Sequence, residues 1–465
     1  MHAELAYLFR HVLLREAAYQ LHLPSERARL HGLAFTLLED WAGGRAPAPP
    51  PLEGAEPCLR HATDPFARDL AEHLRLAMGE ADRASAAATA EVRRLYLRRA
   101  AEHAQRENRL DAIARWTEYA HCVDGVERAL ALQRAGECAL RVGEPAAEGL
   151  LREAVDALQT CGRERERGLA LARLGTCLRS KGRVDEAEKA LNRALEIVRA
   201  RGQLRDEGLV LEALGVLMTQ SGRAALAGDC YRRALEIYRE VGDRRSEATV
   251  LGNIGIEHRH RGEDDACEAR YLEALAILTA LGDRHNEATL LNNLAGLYWI
   301  TDRNEQAEKT SRRALELQRA IGNRRGEGIT LANMSDLLRD EGRLADAKEM
   351  CLQALAIHRE TGSRRFEGIA LDNLARLHQA AGDFEAARHA FEESLAILRE
   401  VRDRRSEGTT LCAYAVLLLE VEDAGARRAW GEGAAILRDL GDARLEGSLR
   451  EMRAACAQKG VAPLE

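Results

Sequence analysis

The chain of 465 residues is long enough for two or three ordinary domains or for one elongated array. With 46% hydrophobic and 31% charged residues it is not a disordered chain, and 4% aromatics with 9 prolines argue against a β-sandwich or barrel. A formal net charge of −7 argues against a general nucleic-acid binder.

Leu, Ala, Arg and Glu dominate, which is the composition of helices. Of the 68 basic residues 63 are arginine, a skew that reads as the coding bias of a GC-rich bacterial genome. No run approaches the roughly 18 uncharged apolar residues of a spanning helix, so no membrane partner is expected. Charges within the first ten residues leave no apolar region for a signal peptide. The ten cysteines contain no CxxC pair, and Cys177, Cys267, Cys351 and Cys412 fall inside helical patterns as small hydrophobes. A cytoplasmic protein with reduced thiols is expected.

In chain order, residues 1–41 read as a helical segment, YLFRHVLLREAAYQLHLPSERARLHGLAFTLLED being its body. Residues 42–57, AGGRAPAPPPLEGAEP, read as a Pro/Gly-rich linker with exposed backbone, the expected first site of proteolysis. Residues 58–161 read as degenerate helical hairpins, with a low-complexity connection DRASAAATA at 82–90. From 162 to 440 a period of 40 residues takes over. Gly162, Gly202, Gly242, Gly282, Gly322 and Gly362 keep it, as do Gly182, Gly222, Gly262, Gly342 and Gly382, with Asp302 filling the gap. Leu171 to Leu411 and Ala194 to Ala354 are further registers, giving seven units, the last of them one residue short. Residues 441–465 read as a capping helix and tail.

Each unit reads as two helices. In 282–321, Leu291, Leu294 and Tyr298 form a helical stripe, and Ala307, Ala314, Leu315 and Leu317 form a second one. Gly322 stands where a helix ends in the left-handed region, and Asp283 stands where an N-cap belongs. One hairpin cannot bury its own apolar faces, so neighbours must stack.

These residues resemble the tetratricopeptide repeat (TPR) in a 40-residue variant. Its signature is matched by Leu174/Gly175, Leu214/Gly215, Ile254/Gly255, Leu294/Ala295 and Leu374/Ala375 on the first helix. On the second helix it is matched by Ala187/Leu191/Ala194, Ala227/Tyr231/Ala234 and Ala387/Phe391/Ser394. The resemblance implies an all-α, right-handed superhelix preceded by a short helical segment. Phe9, Arg10, His11, Leu14, Arg15, Glu16, Tyr19, Arg29, Leu30 and His31 are similar to the winged-helix segment that precedes the TPR region in bacterial STAND/AAA-type signalling ATPases. That implies a regulatory arm served by a separately encoded ATPase or signalling partner, or a reading frame that starts further upstream. No GxxxxGK[ST] occurs, so no nucleotide chemistry carries over.

Asn253, Asn293, Asn333 and Asn373 hold one equivalent position on four successive first helices. Amides both donate and accept, which suits the alternating N–H and C=O groups of an extended peptide. Peptide-binding TPR proteins such as kinesin light chains and chaperone-tail receptors use Asn here, and the resemblance implies the same use. The alternative is that each Asn bonds a neighbouring helix or water. Beside this column run Arg205, Arg245, Arg325, Arg365 and Arg405, with His285 standing in once. Arg325 and Asn333 are eight residues apart, about 80° around a helix, so both can face one surface. These arginines could hold an acidic group or a C-terminal carboxylate; the alternative is ordinary surface pairing, as between Arg324 and Glu327. Asp336 and Arg376 vary the polarity of the same surface. His258 and His260 lack further ligands for a metal, and His258 coincides with the core position of Tyr298. No catalytic residues, metal or cofactor are expected. The expected function is a non-enzymatic scaffold or sensor for a protein or peptide partner, with a nucleic-acid-binding solenoid as the disfavoured rival.

Overall fold

A computed structural model of the chain describes residues 22–53, 56–78, 83–107, 111–440, 442 and 444–464. Phe9, Arg10, His11, Leu14, Arg15, Glu16 and Tyr19 lie outside these residues. The described residues form 21 α-helices and one 3-10 turn, with no strand among them. None of these helices is long and apolar enough to cross a membrane. The chain divides into two compact units, Met1–Val241 and Gly242–Glu465.

The first unit opens with α1 (Pro24–Trp41), the 3-10 turn Asp64–Phe66, α2 (Ala67–Ala77), α3 (Arg83–Arg106) and α4 (Ala112–Ala120). Then come α5 (Gly125–Val142), α6 (Ala147–Thr160), α7 (Glu164–Ser180), α8 (Val184–Ala200), α9 (Leu204–Gln220) and α10 (Ala224–Glu240). Phe35, Leu70, Tyr96 and Trp116 form one buried cluster that joins α1 to α4. Residues 83–90, read from sequence as a connection, are the first turns of α3. An alanine-rich run is low in complexity and yet the best helix former. The proline-rich segment is held rather than open. Arg99, buried against Asp64 at 2.8 Å, donates to the Pro47 carbonyl at 2.8 Å, Arg98 donates to Pro50 O at 2.8 Å, and Arg106 donates to Cys58 O at 2.8 Å. A buried guanidinium needs several acceptors, and the proline carbonyls supply them.

The second unit consists of α11 (Arg244–His260), α12 (Asp264–Leu281), α13 (Arg284–Ile300), α14 (Asn304–Ala320), α15 (Arg324–Asp340) and α16 (Leu344–Glu360). It continues through α17 (Arg364–Ala380), α18 (Phe384–Glu400), α19 (Arg404–Glu420), α20 (Ala426–Asp439) and the closing α21 (Arg444–Lys459). Odd-numbered helices from α7 to α19 are the first helices of the 40-residue pairs and even-numbered ones the second. The pairs cross where a small residue meets a large one: Gly215 faces Tyr231 and Gly255 faces Tyr271. The Asp283 side chain accepts from Asn286 N at 3.3 Å, as an N-cap should. α21 closes the unit by burying Met452 and Cys456 with Cys412, Leu418 and Trp430.

Turn glycines of the period lie in the left-handed region, Gly322 at φ 67° among them, but Arg402 adopts φ 56° without being glycine. That conformation costs an L-residue about 1 kcal/mol. Arg402→Gly should therefore stabilise the second unit by up to about 1 kcal/mol, part of the gain being offset by the looser unfolded chain. Thermal unfolding checks this, and a lower melting temperature would refute it.

Candidate functional site

In the second unit α13 touches α15, α15 touches α17, and α17 touches α19, so the first helices line up as one wall. The 40-residue period brings Asn293, Asn333 and Asn373 into a column on this wall, one per helix, with Asn253 at the equivalent position of α11, but their environments are not equal. Asn253 and Asn293 are partly buried, Asn333 is exposed and Asn373 is buried. Asn373 Nδ2 donates to Asp336 Oδ2 at 2.9 Å. Its amide donor is thus taken up inside the fold. The neighbouring Asn292 donates to Thr330 Oγ1 at 2.8 Å, a bond between α13 and α15.

Asp336 and Arg376 come together on this wall in a charged cluster. Asp336 accepts from Arg339 at 2.8 Å, while Arg376 pairs with Asp372 at 2.9 Å and approaches Glu451 of α21 at 3.9 Å. Burial pushes the Asp336 carboxyl up to about 6, against the pull of Arg339 and Arg376. The cluster is internally compensated, so its chemistry is that of a joint between α15, α17 and α21.

The arginine column is mostly paired as well. Arg245 Nε meets Asp283 Oδ2 at 2.8 Å, Arg365 Nε meets Asp403 at 2.6 Å, and Arg405 Nε meets Asp442 at 2.7 Å. The first two staples join a first helix to the cap of the next, and the third joins α19 to Asp442, just before the closing α21. Arg205 belongs to the first unit. Arg325 has Ser363, not Asp, at the corresponding position. Its guanidinium lies over the Phe366 ring, 5.1 Å from the centroid.

A glutamate column went unread in the sequence although it keeps the same period. Glu247, Glu287, Glu327, Glu367 and Glu407 are all buried. Arg319 and Arg324 clamp Glu327 at 2.8 and 2.6 Å, Arg359 and Arg364 clamp Glu367 at 3.0 and 2.7 Å, and Arg399 and Arg404 clamp Glu407 at 2.9 and 3.0 Å. The Arg324–Glu327 pair is therefore half of a repeated joint rather than surface decoration.

His258 Nδ1 sits 2.5 Å from Glu263 Oε2, and no group of three or more metal-ligating side chains exists among the described residues. Cys177, Cys267, Cys351 and Cys412 are buried. Burial pushes the Cys351 thiol up to about 12, far from a reactive thiolate.

Models of the tetratricopeptide repeat match residues 170–205, 206–280, 248–320 and 326–400. No curated protein matches the sequence. Among solved structures, the Rap conjugation gene regulator of the plasmid pLS20 in complex with the Phr* peptide is similar at 14% identity. That match has a TM-score of 0.51 and covers 74% of this chain and 94% of the regulator. The apo form of RapI is similar at 14% identity and a TM-score of 0.49, over 72% of this chain and 99% of that one. A STAND protein with a tetratricopeptide repeat sensor from Pyrococcus horikoshii is 15% identical with a TM-score of 0.47; the match covers 97% of this chain and 62% of that protein. At 14% identity the likeness to the Rap conjugation gene regulator speaks for the fold alone. Over residues 170–400 the chain is an all-α array of tetratricopeptide repeats.

Proposed function

We propose that this chain is a non-enzymatic interaction scaffold whose first-helix wall in the second unit binds an extended peptide segment of a partner. Tetratricopeptide repeats serve protein–protein interaction; the peptide mode is the finer reading. The observation that carries it is the pair Asn293 and Asn333, set one repeat apart on the touching helices α13 and α15, with Asn333 exposed. An asparagine gains nothing for a helix by recurring at one position, whereas two amides at a repeat spacing can each take a peptide N–H and C=O. A peptide-bound regulator of the same fold is consistent with this use. Asn373, held by Asp336, contributes rigidity rather than a free amide.

The Asn293→Ala/Asn333→Ala double variant tests the reading against a pool of extended decapeptides captured on the immobilised protein. Loss of each amide leaves peptide groups unpaired at about 1–3 kcal/mol, so affinity should fall at least about tenfold. Melting temperature should hold, because Ala is the better helix former. Unchanged capture, or a large drop in melting temperature, would assign the column to structure.

A further inference from the structure

The stapled column has a break at its centre. Arg245 and Arg365 deliver Nε to the cap aspartate of the following first helix and Arg405 delivers it to Asp442, just before the closing α21, and those aspartate side chains are only 7–9% exposed. Asp283 and Asp403 also cap their own helices, accepting from Asn286 N and Ser406 N. At the two central junctions the acid is absent. Asn323 stands at one, with its amide nitrogen 3.4 Å from His285 Nδ1. Ser363 stands at the other, with its hydroxyl 2.9 Å from Thr361 Oγ1.

Among the described residues Arg325 is consequently the member of the column in this unit that meets no carboxylate. It is also held in place. Its guanidinium carbon lies 5.1 Å from the Phe366 centroid, Arg365 approaches the same ring at 5.7 Å, and His358 stacks on that ring at 5.5 Å with 26° between planes. His358 is 1% exposed and anchors the ring from beneath the surface. Burial and the nearby Arg365 charge act in one direction on Arg325, lowering its proton affinity. Arg365 is itself held by Asp403 at 2.6 Å, so Arg325 is the guanidinium here that can take an acceptor of opposite charge without giving up a bond of the fold.

We infer that Arg325, braced on Phe366 and left without an acid by Ser363, is the point at which the wall reads one carboxylate of the bound peptide and so fixes its register. The inference rests on the peptide reading above and narrows it: of four arginines in the second unit expected to meet an acid, three are occupied by the fold. A guanidinium held over a ring keeps in-plane N–H donors for a planar carboxylate, which a two-bond geometry suits.

The test uses the full chain and two matched decapeptide pools, one with a single glutamate at a fixed central position and one with glutamine there. The parent should capture the glutamate pool about threefold to tenfold better, as one partly exposed charged bond allows. Ser363→Ala should keep that preference, while Arg325→Gln and Ser363→Asp should abolish it, the latter by closing the missing staple. In melting experiments Ser363→Asp should stabilise the parent more than it stabilises Arg325→Gln. An equal rise in both would mean that the new acid merely caps α17 and would overturn the inference. So would a glutamate preference that survives Arg325→Gln or Ser363→Asp. Equal capture of the two pools by the parent would sink the inference alone, and capture of neither pool would sink the peptide reading with it.

Discussion

Gly255→Ala should destabilise the second unit, although alanine is the better helix former by about 1 kcal/mol. Gly255 lies on α11 against the ring of Tyr271 on α12, and a Cβ there would come within 2.4 Å of Tyr271 Cε1 and 2.6 Å of Cδ1. Tyr271 is completely buried, so its ring has no solvent side into which to swing. Forcing an extra carbon into such a contact typically costs about 1–3 kcal/mol, sometimes more, and here it also pries apart the two helices of one repeat. The overpacking should outweigh the propensity gain and leave a net loss of about 1–2 kcal/mol, a fall of several degrees in melting temperature. Gly296→Ala supplies the contrast, because a Cβ at that position on α13 meets nothing within 4 Å. That substitution should gain up to about 1 kcal/mol. If both alanine variants moved stability in the same direction, close packing would not be the reason for glycine at 255.

The same contact explains why so much of the fold could be read in advance. A repeat writes its local rules several times, so Gly322 as a left-handed helix end and Asp283 as a cap are both where the spacing puts them. Small residues at Gly215 and Gly255 foretold a close crossing, and the large partners Tyr231 and Tyr271 stand opposite them. What escaped reading depends on a partner outside the register. Asn373 belongs to a regular column, but the acid that binds it, Asp336, occurs in one repeat and reaches across from α15. The linker residues look free until Arg98 and Arg99 of α3 donate to the Pro50 and Pro47 carbonyls, some 50 residues away in sequence. The arginine staples were legible in principle, since Asp283 and Asp403 follow Arg245 and Arg365 by a constant offset. A column of like residues suggests a binding face, and only its counter-column shows which members are already spoken for.

Glu327→Gln should loosen the joint between α14 and α15 and make it less sensitive to acid. Glu327 is 5% exposed, accepting from Arg319 of the preceding helix at 2.8 Å and from Arg324 of its own first turn at 2.6 Å. Glutamine keeps the shape but offers one neutral acceptor to two guanidiniums. Removing one partner of a fully buried pair costs about 3–5 kcal/mol. Here, however, the arginines are 53% and 45% exposed and can be rehydrated. A loss of about 1–3 kcal/mol at neutral pH is the better expectation. The pH dependence follows from the direction in which the carboxyl is shifted. Burial alone would raise its proton affinity, but the bonds from Arg319 and Arg324 outweigh burial and hold it below the ordinary glutamate value. The folded state therefore binds the proton less readily than the unfolded state. The clamp's contribution is complete above the unfolded value of about 4.3 and is lost as pH falls through the lower folded value. Urea midpoints at pH 7 and pH 4 should thus draw together, with Glu327→Gln well below the parent at pH 7 and closer to it at pH 4. A constant gap between the two proteins across that range, or no gap at neutral pH, would show that the joint is held by apolar packing alone.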